Sequence, residues 1–295
     1  MTQTFLLGVG AQKAGTTWLY QYLRGHPDCA MGLIKEHAVL QAALSGAGLS
    51  GRFPAKADAL IEALQAAKRA EAEGGAPDAE AQARLLALMD NIGGEIDLSC
   101  YLRPFGRLLA ARPGARLTGD ITPEYCMLSA DQMIRARKMI ETAGYDLKVV
   151  FLMRDPLERI YSALRMADRN RRNAGKQVPF PAAERFDNQA RADWVEGRTR
   201  YETILEAIDT AFDPDQVYLG FYETFFTDES LSELLAFLGL SHHPADFSHM
   251  ANASPDGGAI AADKIATVRR YYDATYRACA ARFGTAFISR IWPHA

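Results

Sequence analysis

One stretch near the N-terminus limits this chain more than any other: Phe5-Leu-Leu-Gly-Val-Gly-Ala-Gln-Lys13-Ala-Gly-Thr-Thr-Trp-Leu-Tyr20. Phe5–Val9 is an apolar run ending in glycine and reads as a buried strand. Thr17–Leu23 pairs Trp18 with Tyr22 and Leu19 with Leu23 at i,i+4, and reads as a helix that stops before Pro27. Between them lies a tight loop holding one lysine and two hydroxyls. A strand, such a loop and a helix N-terminus together aim N–H groups and a cation at an anion, most often a phosphate.

The rest of the chain repeats the strand-then-helix order. Met31–Ile34 reads as a second strand ending at Lys35-Glu36-His37, and Ala115–Gly119 as a third, followed by Asp120-Ile-Thr-Pro-Glu-Tyr125. Ser129–Thr142 is expected to be a helix capped by Ser129 and stopped by Gly144. Leu147–Met153 is a strong central strand. Asp155 suits the N-cap of the next helix and Pro156 its first position, with Leu157, Ile160, Tyr161 and Leu164 on one face. Tyr201–Phe212 and Leu231–Leu238 read as helices, Gln216–Phe221 as a strand, Ser248–Asp263 as a loop and Lys264–Phe283 as one long helix.

This alternation predicts an α/β fold: a P-loop-like three-layer sandwich, with a mostly parallel central sheet and helices on both faces. A single domain over 1–295 is expected. It carries a helical insertion over about 40–107, broken at Gly74-Gly75-Ala-Pro77, and an irregular or mobile flap over about 165–200. Ligands of such sheets sit beyond the carboxyl ends of the strands. The polar groups at 10–17, 35–37, 120–125 and 154–155 all follow strand ends, so they should meet in one cleft.

Composition narrows the partners. The net charge of -3 gives no basic excess for nucleic acid. The four cysteines, Cys29, Cys100, Cys126 and Cys279, are widely spaced and form no CxxC pair, which fits reduced thiols rather than a disulfide frame or a zinc site. The sequence shows neither a signal-peptide pattern nor an apolar run near the roughly 18 residues of a membrane span, so a cytoplasmic protein is expected. His242, His243 and His249 lack carboxylate or cysteine partners at ligand spacing, and no metal is expected. Oligomeric state is not legible.

The loop is not a Walker A sequence, whose lysine follows the last glycine; here Lys13 precedes Gly15 by two positions. Nor is it GxGxxG, since Lys13 stands where the third glycine would be. This order argues against a P-loop nucleotide kinase or hydrolase, which stays as the alternative along with a non-catalytic nucleotide-binding protein. The pattern Gly10-x-x-Lys13-x-Gly15-Thr16-Thr17, continued by Trp18 through His26-Pro27 and by Lys35-Glu36-His37, resembles the phosphosulfate loop of sulfotransferases. These use 3′-phosphoadenosine 5′-phosphosulfate, and the likeness is to their carbohydrate-type and bacterial branch. Val149-Val-Phe-Leu-Met-Arg154-Asp-Pro156, with Ser162 eight residues after Arg154, resembles the family's 3′-phosphate site.

The resemblance implies a donor site made of Gly10, Lys13, Ala14, Gly15, Thr16, Thr17, Trp18, Arg154 and Ser162, with Lys13 on the oxygen between phosphate and sulfuryl group. It implies Glu36 as base, with His37 the rival because a histidine serves in the cytosolic branch. Burial would raise the Glu36 pKa usefully. Where many members have lysine, this chain has Ile121, and Asp120 either faces the acceptor or caps the turn at Thr122. Tyr222-Glu223 matches a structural strand end. The loop 252–258 lacks the family's usual basic residues, for which Lys264 or Arg269 would substitute. The expected acceptor group is a hydroxyl, or alternatively an amine, of a small metabolite, lipid head group or short glycan.

Overall fold

In the computed structural model, which describes residues 2–46, 49–73, 78–248 and 258–295, the core is a parallel sheet of four strands in the order β2-β1-β3-β4. The strands are β1 (Thr4–Gly10), β2 (Leu117–Ile121), β3 (Asp146–Met153) and β4 (Val217–Phe221). Leu6 pairs with Gly119 on one side and Lys148 on the other, and Val149 with Val217. The two central strands, β1 and β3, are almost wholly buried and built of Phe, Leu, Val and Met, as a strand covered on both faces must be.

Helices surround the sheet: α1 (Thr16–Gly25), α2 (Val39–Ser45), α3 (Phe53–Ala72), α4 (Ala79–Ile96) and α5 (Arg103–Ala111) before β2; α6 (Ala130–Thr142) before β3. After β3 come α7 (Pro156–Asn173), the single turns α8 (Phe186–Gln189) and α9 (Asp193–Glu196), and α10 (Tyr201–Ala211). After β4 come α11 (Tyr222–Phe225), α12 (Asp228–Leu238), α13 (Ala262–Tyr271), α14 (Asp273–Phe283) and α15 (Thr285–Ile291). This is the expected α/β sandwich around a parallel sheet.

Local chemistry explains most boundaries. Ser129 accepts from the Gln132 N–H while Gln132 reaches back to the Ser129 N–H, a reciprocal cap that starts α6. Asp155 accepts from the N–H groups of Leu157 and Glu158, and Pro156 opens α7. Gly239 ends α12 with φ 65°.

Three expectations need correction. Met31–Ile34 is not a strand: the chain touches the sheet edge only through the bridge Cys29–Leu117, then turns at Gly32, whose carbonyl accepts from the Tyr20 hydroxyl. Residues 165–173 are not an irregular flap but the continuation of α7. They stay helical because Asp168 is buried against Arg185 while other side chains face a cleft. The last long helix is two helices, bent at Tyr272, whose buried hydroxyl donates 2.6 Å to the Ala190 carbonyl. Residues 40–107 fold as α2 to α5, with the Gly74–Pro77 break outside the described residues. A buried ion pair, Lys56 with Glu95 at 2.5 Å, ties α3 to α4, and Lys56 also donates 2.6 Å to the His37 carbonyl. No described helix is long and apolar enough to cross a membrane.

Candidate active site

Beyond the carboxyl ends of β1 and β3 opens a cleft of about 730 Å³, walled by Lys13, Thr16, Thr17 and Trp18 on one side and by Arg154 and Ser162 on another. The loop after β1 is held open by its glycines. Gly10 has φ 141° and a side chain there would meet the Pro123 carbonyl at 3.0 Å; Gly15 has φ 90° and would press on Phe226 at 3.1 Å. Gly15 is also the N-cap of α1, and no side chain caps this helix. The Leu19 N–H closes onto the Gly15 carbonyl at 3.1 Å, so the N–H groups of Thr16, Thr17 and Trp18 in the first turn have no helical carbonyl to reach and can meet an anion.

Lys13 reaches the cleft from a left-handed backbone position, φ 71°. Burial, and then the positive charges of Arg169, Arg154, Arg165 and Lys35, push its ammonium down to about 8. Arg154 leaves the end of β3 and is fixed by three contacts. It donates 3.2 Å to the Lys13 carbonyl, pairs with Glu158 at 3.4 Å and lies 4.4 Å over the Tyr222 ring. Ser162 sits on α7 and lines the same cleft, so the two motifs separated by 141 residues meet in one cavity.

The third wall is Lys35-Glu36. Lys35 Nζ stands between Thr16 Oγ1 at 3.4 Å and Glu36 Oε1 at 2.6 Å. Arg52, from the turn before α3, holds Glu36 Oε2 at 3.1 Å and Glu124 at 2.9 Å; Arg198 also pairs with Glu124. Burial acts upward on the Glu36 pKa, but Lys35 and Arg52 outweigh it and hold the carboxyl below its ordinary range. The expected rise is therefore reversed.

The profile of the Sulfotransferase family matches residues 6–244. The chain belongs to the sulfotransferase family. Among solved structures, the sulfotransferase of Alicyclobacillus acidocaldarius is similar at TM-score 0.58 and 17% identity, covering 95% of this chain and 96% of that one. The sulfotransferase domain of the Synechococcus PCC 7002 olefin synthase matches at TM-score 0.46 and 16% identity, over 91% of this chain and 94% of that one. Among curated proteins no sequence matches.

Other residues of this sulfotransferase settle into different places from those expected. His37 does not line the cleft. Its ring is buried against Phe105, Asn91 lies 3.1 Å from Nδ1, and burial lowers its pKa. Trp18 forms a wall, but its indole N–H donates to the Asp246 carbonyl and its ring is stacked between Tyr22 and Phe247. Ala14 is buried beneath the loop. Of the two readings of Asp120, the cap holds: it is wholly buried and accepts from Thr122, Tyr101 and Tyr125. Glu223 accepts from the Asp155 N–H and Trp292, a structural role.

Lys264 is paired with Asp187 and Arg269 with Asp273, and neither is among the described residues lining the cleft. Residues 249–257, including His249 and most of the 252–258 loop, lie outside the described residues. His243 packs on His26 and Tyr22. Arg52, Arg165, Met166, Arg169 and Asn170 line the cleft without having been singled out in the sequence, and Tyr222, expected only as part of a structural strand end, lines it too. For the α7 residues a signal existed: from Ser162, positions 165, 166, 169 and 170 continue one helical face.

Proposed function

We propose that this sulfotransferase takes 3′-phosphoadenosine 5′-phosphosulfate as donor and moves its sulfuryl group to a hydroxyl of a small metabolite, lipid head group or short glycan. The observation that carries this reading is the pairing of two anion poles in one cleft: Lys13 with the uncapped start of α1, and Arg154 with Ser162. Each pole suits one phosphate of a nucleotide phosphorylated at both ends. Guanidinium–phosphate contacts are among the strong charge-assisted hydrogen bonds.

In the reaction the acceptor oxygen forms a bond to sulfur as the bond from sulfur to the 5′-phosphate oxygen breaks. The acceptor proton passes to Glu36, and the negative charge freed on the phosphate falls beside Lys13 and the N–H groups of α1. Donors placed where charge develops are worth more in a water-poor site than in bulk. Lys35, between Thr16 and Glu36, links the donor loop to the base. As charge grows at the phosphate, a Lys35 drawn toward it leaves Glu36 freer to take the proton.

The test is incubation with the donor and a pool of cellular metabolites, followed by mass spectrometry for a gain of one sulfuryl group and for adenosine 3′,5′-bisphosphate. Wild-type-like turnover by Lys13→Ala, or activity that needs ATP and magnesium instead, would sink the reading.

A further inference from the structure

α7 brings more positive charge into the cleft than a 3′-phosphate pole needs. Past Ser162 the same face presents Arg165, Met166, Arg169 and Asn170, all lining the cavity. Seven residues at about 1.5 Å rise place Arg169 roughly 10 Å farther along the helix than Ser162. Helical side chains lean toward the helix N-terminus, which turns Arg169 back over the cavity.

The carboxylates nearby are already engaged. Asp168 is held by Arg185, Glu158 by Arg154 and His294, and Glu36 by Lys35 and Arg52. Arg165 lies 4.8 Å from the Tyr161 ring, whereas no described carboxylate pairs with Arg169. Lys13 and Arg169 line the same cavity, and after burial the positive charges of Arg169, Arg154, Arg165 and Lys35 all disfavour the Lys13 ammonium. A like-charge group of this kind in a half-buried cleft is unfavourable until an anion enters between its members.

On the donor reading above, on which this step rests, the anion at the Lys13 end is the phosphosulfate, while Arg154 and Ser162 serve the opposite end. We infer that Arg169 is a second cation for the transferring group, its guanidinium hydrogen-bonded to the sulfuryl oxygens of the donor. The family's loop chemistry does not require this residue; it comes from the extra turns of α7. A contact to the sulfuryl group is made by donor and lost in product, so Arg169 favours donor binding and product release. An anionic group on the acceptor is the competing use of the same charge, and binding without acceptor separates the two.

The experiment is calorimetric titration of wild type, Arg169→Gln and Arg169→Lys with 3′-phosphoadenosine 5′-phosphosulfate and, separately, with adenosine 3′,5′-bisphosphate. Thermal unfolding of each variant checks the fold. Arg169→Gln should weaken donor binding about tenfold or more, the scale of one lost charged hydrogen bond, while bisphosphate binding changes little. Arg169→Lys should recover part of the loss. Unchanged donor affinity in Arg169→Gln, or equal losses for both nucleotides, overturns the inference while leaving the donor reading intact. A wild type that binds neither nucleotide removes the donor reading, and this inference with it.

Discussion

Arg52 Nη1 lies 3.1 Å from Glu36 Oε2, while the other terminal nitrogen of the same guanidinium holds Glu124 at 2.9 Å. The candidate base is thus clamped by a residue of the helical insertion as well as by its neighbour Lys35. A carboxylate held this way is a weaker base than a free one, since both cations favour its charged form.

Arg52→Gln should therefore raise the Glu36 pKa. The acid limb of the pH–rate profile, where Glu36 gains a proton and stops accepting one, should move to higher pH. Glu36→Gln should cost about a hundredfold or more in kcat, the usual range for loss of a general base. An acid limb that stays fixed in Arg52→Gln, measured as kcat/KM against pH, would take Glu36 out of the base role.

Lys13 titrates at about 8 because burial, and then the four neighbouring cations, disfavour its charge. Raising the pH through that value in the free protein neutralises the ammonium, so affinity for adenosine 3′,5′-bisphosphate should fall across the range above about 8. Bound anion should shift the Lys13 pKa upward, which makes binding take up protons. Titrations in buffers of different ionisation heat measure that uptake. Lys13→Met should abolish the pH dependence and reduce turnover by about a hundredfold or more.

Arg154, held by the Lys13 carbonyl, Glu158 and Tyr222, is already oriented. Arg154→Gln should weaken adenosine 3′,5′-bisphosphate by roughly tenfold to a hundredfold, the range of a charge-assisted pair. Adenosine 5′-monophosphate, which lacks the 3′-phosphate, should be affected little. Equal losses for both ligands would place Arg154 elsewhere.

The sheet and the glycine-rich loop after β1 were legible because their signals are local. Apolar runs mark β1 and β3, glycines mark the turn, and Asp155-Pro156 marks the start of α7. The meeting of Lys13 with Arg154 followed from strand ends sharing one edge of the sheet. What was not legible depends on contacts distant in sequence. Arg52 lies in a segment whose composition shows only helix, and its position against Glu36 is set by how α3 and α4 dock through Lys56 and Glu95. His37 looks like a site residue by its neighbour; it turns inward because Phe105 and Asn91 offer a closed pocket. The rest of α7 was missed for lack of apolar periodicity, since its inward face is polar and meets a cleft instead of the core.

Asp120 lies near the end of β2, wholly buried, with Oδ2 accepting from Tyr101 at 2.9 Å and Tyr125 at 2.6 Å and Oδ1 from Thr122 at 2.7 Å. Asp120→Ala strands two buried phenol hydroxyls, and at roughly 1–3 kcal/mol for each unsatisfied group the loss should be about 3 kcal/mol. Asp120→Asn keeps the volume and an acceptor oxygen and should cost less. Urea unfolding measures both, and a near-neutral Asp120→Ala would show that the network contributes little.

His37 separates a structural from a catalytic reading. Its neutral ring is buried with Phe105 and Asn91, and burial lowers its pKa from the ordinary 6.5. The unfolded chain therefore binds a proton that the folded chain refuses, and stability should fall as pH drops below about 6.5. His37→Gln removes that contribution, so its acid-side stability slope should be shallower than that of the wild type. The same variant should be less stable at neutral pH by about 1–2 kcal/mol through lost packing. Turnover per folded molecule should stay near wild type, because the ring does not reach the cleft. A fall in kcat of a hundredfold without loss of stability would instead make His37 the base, and the pH dependence of unfolding measured beside kcat decides between the two.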